Sequence, residues 1–408
     1  MRRTREDQRL FLAVFGVLIA LHAALMLSSR LLPFIDIPEH LAAATIARDI
    51  DEPGNRFAEY YTVETGLRPN TLHLAFCALP VFPSAEEANR VFFALYAALL
   101  PLSVLLVIRG LGGNPWFSLL SFLLVYNYSV TWGFAGFAFA IPLVLFFCRF
   151  FVFDARGLGT PARAALGAAL LVAIYFAHVL AALFTLLIVL FALFPGGARS
   201  ARNLLGSAAA SLPAVVMTAL WWRGQSHAYA GTGLVPFLSE YYRDTFLRTL
   251  GPRKYVAVSD NFHLFGGTAG YAVALLFTVA IASPALILLF AKRKRPALRD
   301  ASVVTLPLLL ASALCFLFLP NGIPQQWILY ERFSVFILLA LAIAAGALAP
   351  SRISLFGRSA LVGLALLHFA LWAHYTIAFN RENAGFDRAF LRPDAAERTL
   401  AGLIEDYT

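Results

Sequence analysis

The sequence predicts an all-α protein, a polytopic bundle of transmembrane helices. Hydrophobic residues make up 60% of the 408 residues and charged residues 13%, about half of the ~25% that soluble domains carry. The apolar residues lie in long runs without the in-and-out alternation of membrane barrel strands. Because only helices and closed barrels satisfy the backbone in lipid, these runs indicate helices.

We expect about eleven spans in a single transmembrane domain, residues 1–408. The first apolar run is about eighteen residues long, more than the ~7–15 of a signal peptide, which favours an uncleaved helix. The fifth and sixth spans form one apolar stretch with a turn expected at "YFAHVL". The expected bounds are 10–29, 88–108, 114–130, 134–153, 162–177, 179–195, 204–222, 268–291, 302–319, 328–349 and 359–379.

The distribution of Lys and Arg predicts the orientation of the bundle. A cytoplasmic N-terminus places basic segments such as "MRRTRED" and "AKRKRPALRD" in the cytoplasm, as the positive-inside rule requires. The periplasmic side then holds a first loop (30–87), a second loop (223–267) and the C-terminal tail (380–408). The Arg-, Ala- and Leu-rich composition favours a bacterial inner (cell) membrane. The net charge of +9 reflects this topology and indicates no nucleic-acid partner.

The first loop contains two predicted interfacial segments. "PEHLAAATIARDI" has apolar residues at helical spacing and predicts an amphipathic helix on the membrane surface. "RPNTLHLAFCALPVF" is too short to span comfortably and predicts a second interfacial or re-entrant helix. Ser84, followed by Glu87, predicts a capping box at the start of the second span.

A cluster of ionisable residues, Asp36, Glu39 and His40, follows the first span in "FIDIPEH". One interpretation is structural: Asp36 caps a helix and Glu39 completes a capping-box pattern. The other is chemical, because ionisable groups at a membrane boundary are often functional. A partly desolvated Asp36 can act as general base toward a hydroxyl, with Glu39 and His40 tuning it. The two roles are compatible, since a helix start also fixes a carboxylate.

Several other polar residues each have both a structural and a functional interpretation. His178, within an apolar stretch, is either a hydrogen-bonded helix contact or a group lining a cavity. "VYNYSVTWGFAG" is typical of an aromatic belt, or of a rim that contacts sugar or lipid. His73 is expected to face His40 across the loop helices. A divalent metal held by His73, His40 and the nearby carboxylates is left open but not favoured, because no spacing requires it, and no cofactor is certain.

An acidic loop motif, an interfacial helix and an Arg-containing start of the second span follow one another over the first 110 residues. The segments are "FIDIPEHLA" (34–42), "RPNTLHLAFCALPVF" (68–82) and "AEEANRVFFALYAALL" (85–100). In order and character they resemble the GT-C glycosyltransferases, in particular bacterial relatives of the protein O-mannosyltransferases and aminoarabinose transferases. Beyond about residue 110 the resemblance is one of hydropathy and topology.

The resemblance implies an inverting transfer of a hexose or pentose from a polyprenyl-phosphate donor to an unidentified acceptor on the periplasmic face. Asp36 matches the catalytic base of the family. The donor phosphate needs cations, and the planar guanidinium of arginine binds phosphate oxygens bidentately. The candidates for substrate binding are Arg332, Glu331, Arg223, Arg90, His73 and His178. Alternatively, Arg332 snorkels and pairs with Glu331, and Arg223 is an interface anchor after two tryptophans.

Two other functions fit the same sequence. A transporter or lipid flippase also needs an apolar bundle with a few buried polar residues, although the chain has no evident inverted repeat. A non-catalytic GT-C-like scaffold could bind a membrane lipid without chemistry. Loss of transfer on replacing Asp36 would separate the first function from these two.

Overall fold

A computed structural model shows that the described residues form helices joined by turns and loops. The described residues are 5–64, 66–153, 157–193, 201–225, 234–262, 267–290, 296–323 and 326–384. These ranges contain no strand and only two isolated bridges, Pro53 with Asn55 and Ile323 with Gln326. The predicted all-α class is confirmed. The basic segment 291–295 and the predicted tail from residue 385 onward lie outside the described residues.

Seventeen α-helices occur in this part of the chain. Their bounds are α1 Arg5–Ser28, α2 Ile37–Asp49, α3 Phe57–Tyr60, α4 Leu72–Cys77, α5 Ala85–Gly110, α6 Tyr128–Thr131, α7 Ala135–Phe147, α8 Pro161–Ala177, α9 Val179–Leu193, α10 Ala201–Gln225, α11 Leu234–Glu240, α12 Phe246–Thr249, α13 Pro252–Ser259, α14 Gly267–Phe290, α15 Pro296–Phe318, α16 Ser334–Leu348 and α17 Leu355–Glu382. Tighter or wider helical turns occur at Pro115–Leu124, Asp260–Phe262 and Glu331–Phe333 (3-10) and at Cys148–Val152 and Tyr241–Thr245 (π).

Within the described residues, seven helical segments are long and apolar enough to cross a membrane, so the chain is a membrane protein. They are Arg5–Ser28, Ala85–Gly110, Ala135–Val152, Asn203–Gly224, Thr268–Leu288, Glu331–Leu348 and Leu355–Glu382. The second, third and sixth are 67–72% buried inside the protein, whereas the other four are only 22–33% buried. The bundle therefore has a three-helix centre, and its peripheral helices turn apolar side chains outward, as lipid-facing helices do.

The third expected span, 114–130, differs most from the prediction. Residues Pro115–Leu124 form a 3-10 helix, which at about 2 Å per residue covers only ~20 Å. Its Ser118 and Ser121 hydroxyls donate to carbonyls three residues earlier, at 2.6 Å each. This segment is enclosed by α1, α5, α16 and α17. It is apolar because it is buried in protein, a cause that hydropathy alone does not distinguish from lipid contact.

The break between α8 and α9 lies at His178, where the turn was expected. His178 has an extended backbone, with φ −165° and ψ 126°. The Asn70 side chain, from the first loop, accepts a hydrogen bond from Val179 N at 2.9 Å and so caps the start of α9. The Tyr175 hydroxyl donates to Leu67 O at 3.0 Å. The first loop is thereby fastened to the break at the end of α8.

Helices α2 and α4, in the first loop, pack on the start of α5. Helix α4 is short, and it contacts both α2 and α5. Ser84 is the N-cap of α5, and its hydroxyl accepts a hydrogen bond from Glu87 N at 3.2 Å. The predicted cap is thus confirmed, although the Glu87 side chain pairs with Arg90 at 3.3 Å.

Candidate functional site

The link between α1 and α2 is fastened at its end to α6. Ile35 N donates to Thr131 O and Asp36 N to Trp132 O, both at 3.0 Å. Gly133 follows with a φ of +82°, and a Cβ at this position would lie 2.6 Å from Asp36 N. Glycine is therefore required both for the left-handed backbone and for the close approach. Asp36 is held where two distant parts of the chain meet.

Asp36 occupies the N-cap position of α2, as predicted, but its side chain makes no capping hydrogen bond. The predicted capping hydrogen bond from Asp36 is wrong, because Asp36 has a helical backbone (φ −84°, ψ −3°) instead of the extended one that a side-chain cap uses. The half-buried carboxylate is left available. Desolvation raises the pKa of Asp36; the charges of His40 and Arg332 oppose the rise, and Glu39 adds to it.

Arg332 lies within electrostatic range of Asp36. Its Nε donates to Ile328 O at 2.6 Å and its Nη2 to Trp327 O at 3.2 Å. Its Nη1 lies 3.1 Å from His178 Nε2. The guanidinium carbon lies 3.7 Å from the centre of the Phe134 ring, a cation–π contact. No carboxylate of the described residues forms an ion pair with Arg332, so the alternative pairing with Glu331 is not observed.

The backbone is strained at Ile328, the residue that binds the Arg332 side chain. Ile328, whose carbonyl accepts from Nε, has a φ of +59°. This left-handed conformation is an outlier for a β-branched residue. Such strain persists only where surrounding structure imposes it, and it is frequent at functional sites.

His178 faces a conflict between its two nitrogens. Nδ1 lies 3.2 Å from Leu180 N, a donor, and Nε2 lies 3.1 Å from Arg332 Nη1, also a donor. A neutral imidazole has one acceptor nitrogen only, and arginine never accepts. One of the two contacts is therefore unsatisfied in either tautomer. An anion between Arg332 and His178 would remove the conflict, because Nε2–H could then donate to it while Nδ1 accepts from Leu180.

Two aromatic residues, Trp132 and Phe134, adjoin the candidate site. Trp132, whose carbonyl holds Asp36, stacks with Phe134 at a centroid distance of 6.2 Å and an interplanar angle of 17°. Phe134 in turn lies against Arg332. Both rings are half-buried. The stretch predicted as an aromatic belt or a rim thus contacts the backbone of Asp36 and the guanidinium of Arg332.

Glu331 is buried within electrostatic range of both Arg332 and Lys254. Its side chain is 6% exposed and its Oε2 has no hydrogen-bond partner in the described residues. Lys254, 1% exposed, donates to Leu317 O at 2.8 Å and lies 4.3 Å from the Tyr330 ring centre. Burial lowers the pKa of Lys254 to about 8, and Glu331 opposes the shift. The hydrogen bond of Lys254 holds α13, in the second loop, to the end of α15.

Two buried polar residues near the site, Lys254 and Asn261, were not predicted from the sequence. Asn261 accepts from Tyr128 N at 3.3 Å and donates to Ser334 Oγ at 2.7 Å, so it joins α6 to α16. Lysine is rare in this Arg-rich chain, and this rarity is the one sequence signal that could have marked Lys254. Asn261 carried no such signal.

The remaining predicted residues lie around or away from this centre. Glu39 is exposed in the first turn of α2. His40 faces His73, as predicted, with ring centroids 5.7 Å apart. Arg90 lies instead at the start of α5, where Nη1 reaches Leu27 O at 3.4 Å. Arg223 is exposed in the last turn of α10.

His73 serves the packing of the first loop. It is buried in α4, and its Nε2 bonds Asn89 Oδ1 at 2.8 Å. Within the described part of the chain, no group of three or more His, Cys, Asp or Glu side chains could hold a metal ion. The site's chemistry is accordingly that of a carboxylate, a guanidinium, an imidazole and two aromatic rings.

Comparison with known proteins adds no family: no family model matches this chain, and no curated protein matches it either.

Proposed function

We propose that the protein is an inverting glycosyltransferase that uses a polyprenyl-phosphate-linked sugar. The observation that carries the proposal is the placement of a half-buried Asp36 within electrostatic range of Arg332, which lies against Phe134, the ring stacked with Trp132. A transferase of this kind needs a base for the acceptor, a cation for the departing phosphate and apolar faces for the sugar ring. All three groups occur together here.

In the proposed reaction Asp36 takes the proton of an acceptor hydroxyl. The hydroxyl oxygen attacks the anomeric carbon from the face opposite the phosphate, and the bond from that carbon to the phosphate oxygen breaks. The leaving group is polyprenyl phosphate, whose added negative charge Arg332 stabilises. The raised pKa of Asp36 suits this role, because a less acidic carboxyl is a stronger base.

The donor contacts of Arg332 support a phosphate as its ligand. Nη1 of Arg332 faces His178 Nε2. This nitrogen can accept from Arg332 only in the tautomer in which Nδ1 no longer accepts from Leu180 N. A phosphate oxygen at this point would accept from both Arg332 and His178. Arg332 keeps its full charge for the ligand, since no carboxylate of the described chain forms an ion pair with it.

The proposed setting is the periplasmic face of a bacterial inner membrane. The N-terminus lies in the cytoplasm and the C-terminus in the periplasm, as the basic segments predict. Asp36 follows α1 directly, at the boundary where the headgroup of a lipid-linked donor would lie.

The test uses the full chain in lipid vesicles with a panel of polyprenyl-phosphate hexoses and pentoses and a bacterial membrane extract as acceptor source. Release of polyprenyl phosphate is measured. Asp36→Asn should lower the rate by at least ~100-fold, the usual range for a general base. Arg332→Gln should weaken both the rate and the binding of polyprenyl phosphate. Asp51→Asn, an exposed carboxylate in the same loop, is the matched control.

The pH profile distinguishes a base from a structural carboxylate. The rate should fall on acidification through a pKa above the usual range of aspartate. Full activity of a folded Asp36→Asn variant would sink the assignment. Intact binding of polyprenyl phosphate without turnover in the unaltered chain would favour the non-catalytic scaffold.

A second function, transport or lipid flipping, has one observation in its favour. His22 in α1 and His368 in α17 are fully buried between membrane helices. His22 Nδ1 bonds the Tyr126 hydroxyl at 3.0 Å, and its Nε2 has no partner in the described residues. Buried ionisable groups in membrane helices often line a pathway. Lipid scrambling in vesicles that His22→Phe abolishes would support this function over the first.

A further inference from the structure

A cavity of about 820 Å³ lies beside the α1–α2 link. It is formed by this link, α2, the start of α5 and the end of α17. Most of its wall is apolar, with Leu32, Ile37, Leu41, Ile46 and Phe379 among the lining side chains. This size and lining match those of sites that take small apolar ligands. Neither Asp36 nor Arg332 lines it.

The charged residues of the cavity are unequal in sign. Arg30 and Arg90 line it together with one carboxylate, Glu86. Arg90 is held in place by Leu27 O and by Glu87, at 3.4 Å and 3.3 Å. A ligand with an apolar chain and an anionic head would meet complementary groups along its whole length.

The walls of the cavity are fixed before any ligand arrives. Asn380 in α17 accepts from Leu31 N at 2.9 Å and donates to Leu31 O at 2.8 Å, so the link is joined to the last helix. Asn89, also in the lining, is held by His73. A preformed site loses little conformational entropy on binding.

The position of the mouth indicates where the ligand comes from. The cavity begins where α1, a membrane-crossing candidate, ends at Ser28. Leu31 and Ile35 line it and are 36% and 61% exposed. Apolar side chains exposed at this level face the headgroup boundary of a bilayer, so a membrane lipid can enter without crossing water.

We propose that this cavity binds an anionic phospholipid, with an acyl chain between α2 and α17 and the phosphate at Arg30 and Arg90. Guanidinium groups bind phosphate oxygens with short, charge-assisted hydrogen bonds. A zwitterionic lipid would add a second cation beside them and bind less well. The site lies outside the proposed transfer centre, because neither Asp36 nor Arg332 lines the cavity.

The test is a native mass spectrometry titration of the full chain in detergent with phosphatidylglycerol and phosphatidylcholine of identical chains. Phosphatidylglycerol should bind about tenfold more tightly, as one charge-assisted contact predicts. Arg90→Gln should remove this preference, whereas Arg56→Gln, an exposed arginine paired with Glu59, should keep it. Inorganic phosphate should displace neither lipid.

A second variant tests the apolar part of the site. Thr45→Trp places a bulky ring in the lining and should weaken both lipids about tenfold. Circular dichroism checks that each variant is folded; if Thr45→Trp does not fold, Ala42→Met replaces it. Equal affinity for the two lipids in the unaltered chain, or a preference that survives in Arg90→Gln, would overturn the proposal.

Discussion

The two sides of the α1–α2 link differ in what they present. On one side Asp36 shares an electrostatic environment with Arg332, and its backbone N–H donates to Trp132 O. On the other side the neighbouring residues Ile35 and Ile37 line an apolar cavity with arginines in its wall. One short segment thus separates a polar centre from a lipid-sized cavity. Successive side chains point in different directions, so each side can be altered separately.

The two sides are also held by different means. The Asp36 side depends on backbone hydrogen bonds to the end of α6 and on the absence of a side chain at Gly133. The cavity side depends on side-chain amides, those of Asn380 and Asn89. Replacing a residue on one side should therefore leave the other side nearly intact.

The largest effect is expected from Gly133→Ala. The new methyl would meet Asp36 N and Ile37 N at 2.6 Å and 3.0 Å, and the φ of +82° disfavours any side chain. Strain and overpacking together should lower the free energy of unfolding by about 3–5 kcal/mol. The displaced Asp36 should lower sugar transfer at least tenfold, as misplacement of a catalytic group does. Thermal unfolding in detergent and the transfer assay measure the two losses.

Gly112→Ala is the matched control for this prediction. Gly112 also has a left-handed backbone, with a φ of +67°, but a Cβ there would meet nothing within 4 Å. Its replacement should cost only the conformational strain, about 1–2 kcal/mol. Equal losses in the two variants would show that the contact with Asp36 does not matter.

The next largest effect is expected from protonation of His73, which supports the cavity side. Burial lowers the pKa of His73 to about 4; the Asn89 hydrogen bond opposes the shift and His40 adds to it. Since the unfolded chain binds this proton near pH 6.5, the stability from neutral His73 is complete above that pH. It should be lost as the pH falls from 6.5 towards 4, by up to about 3 kcal/mol. Unfolding temperatures across this range measure the loss.

Two variants identify His73 as the source. His73→Gln should flatten the acid dependence, although it lowers stability at neutral pH. His374→Gln, an exposed histidine in α17, should leave the dependence unchanged. An unchanged slope in His73→Gln would assign the transition to another group. Because Asn89 lines the cavity, phospholipid binding should weaken over the same pH range.

Local features of the fold were predictable and long-range features were not. The cap at Ser84, the break at His178 and the approach of His40 to His73 follow from short-range spacing and apolar periodicity. The contact of Asn380 with Leu31 joins residues 349 positions apart, and no local pattern encodes it. The 3-10 segment was predicted as a membrane span for a related reason: its burial in protein depends on the helices that enclose it.

The candidate site divides in the same way. Asp36 and Arg332 were recognisable as ionisable groups beside apolar runs, a position where charge is costly. Their partners were not recognisable. His178 lies 154 positions before Arg332 in the sequence, and it contacts Arg332 from the backbone break between α8 and α9. The burial of Lys254 against Leu317 O depends on how the second loop folds back onto α15.

The smallest effect is expected at Ile328, behind Arg332. Its φ of +59° costs a β-branched residue about 1–2 kcal/mol, which glycine does not incur. Glycine and alanine both lose the side chain beyond Cβ, but only glycine relieves the strain. After the greater chain entropy of glycine, about 0.5–1 kcal/mol, Ile328→Gly should be roughly 0.5–1 kcal/mol more stable than Ile328→Ala. Ile328→Ala keeps the strain and loses side-chain contacts, so it should be less stable than the unaltered chain. Equal destabilisation by Gly and Ala in thermal unfolding would mean that the backbone at Arg332 is not strained.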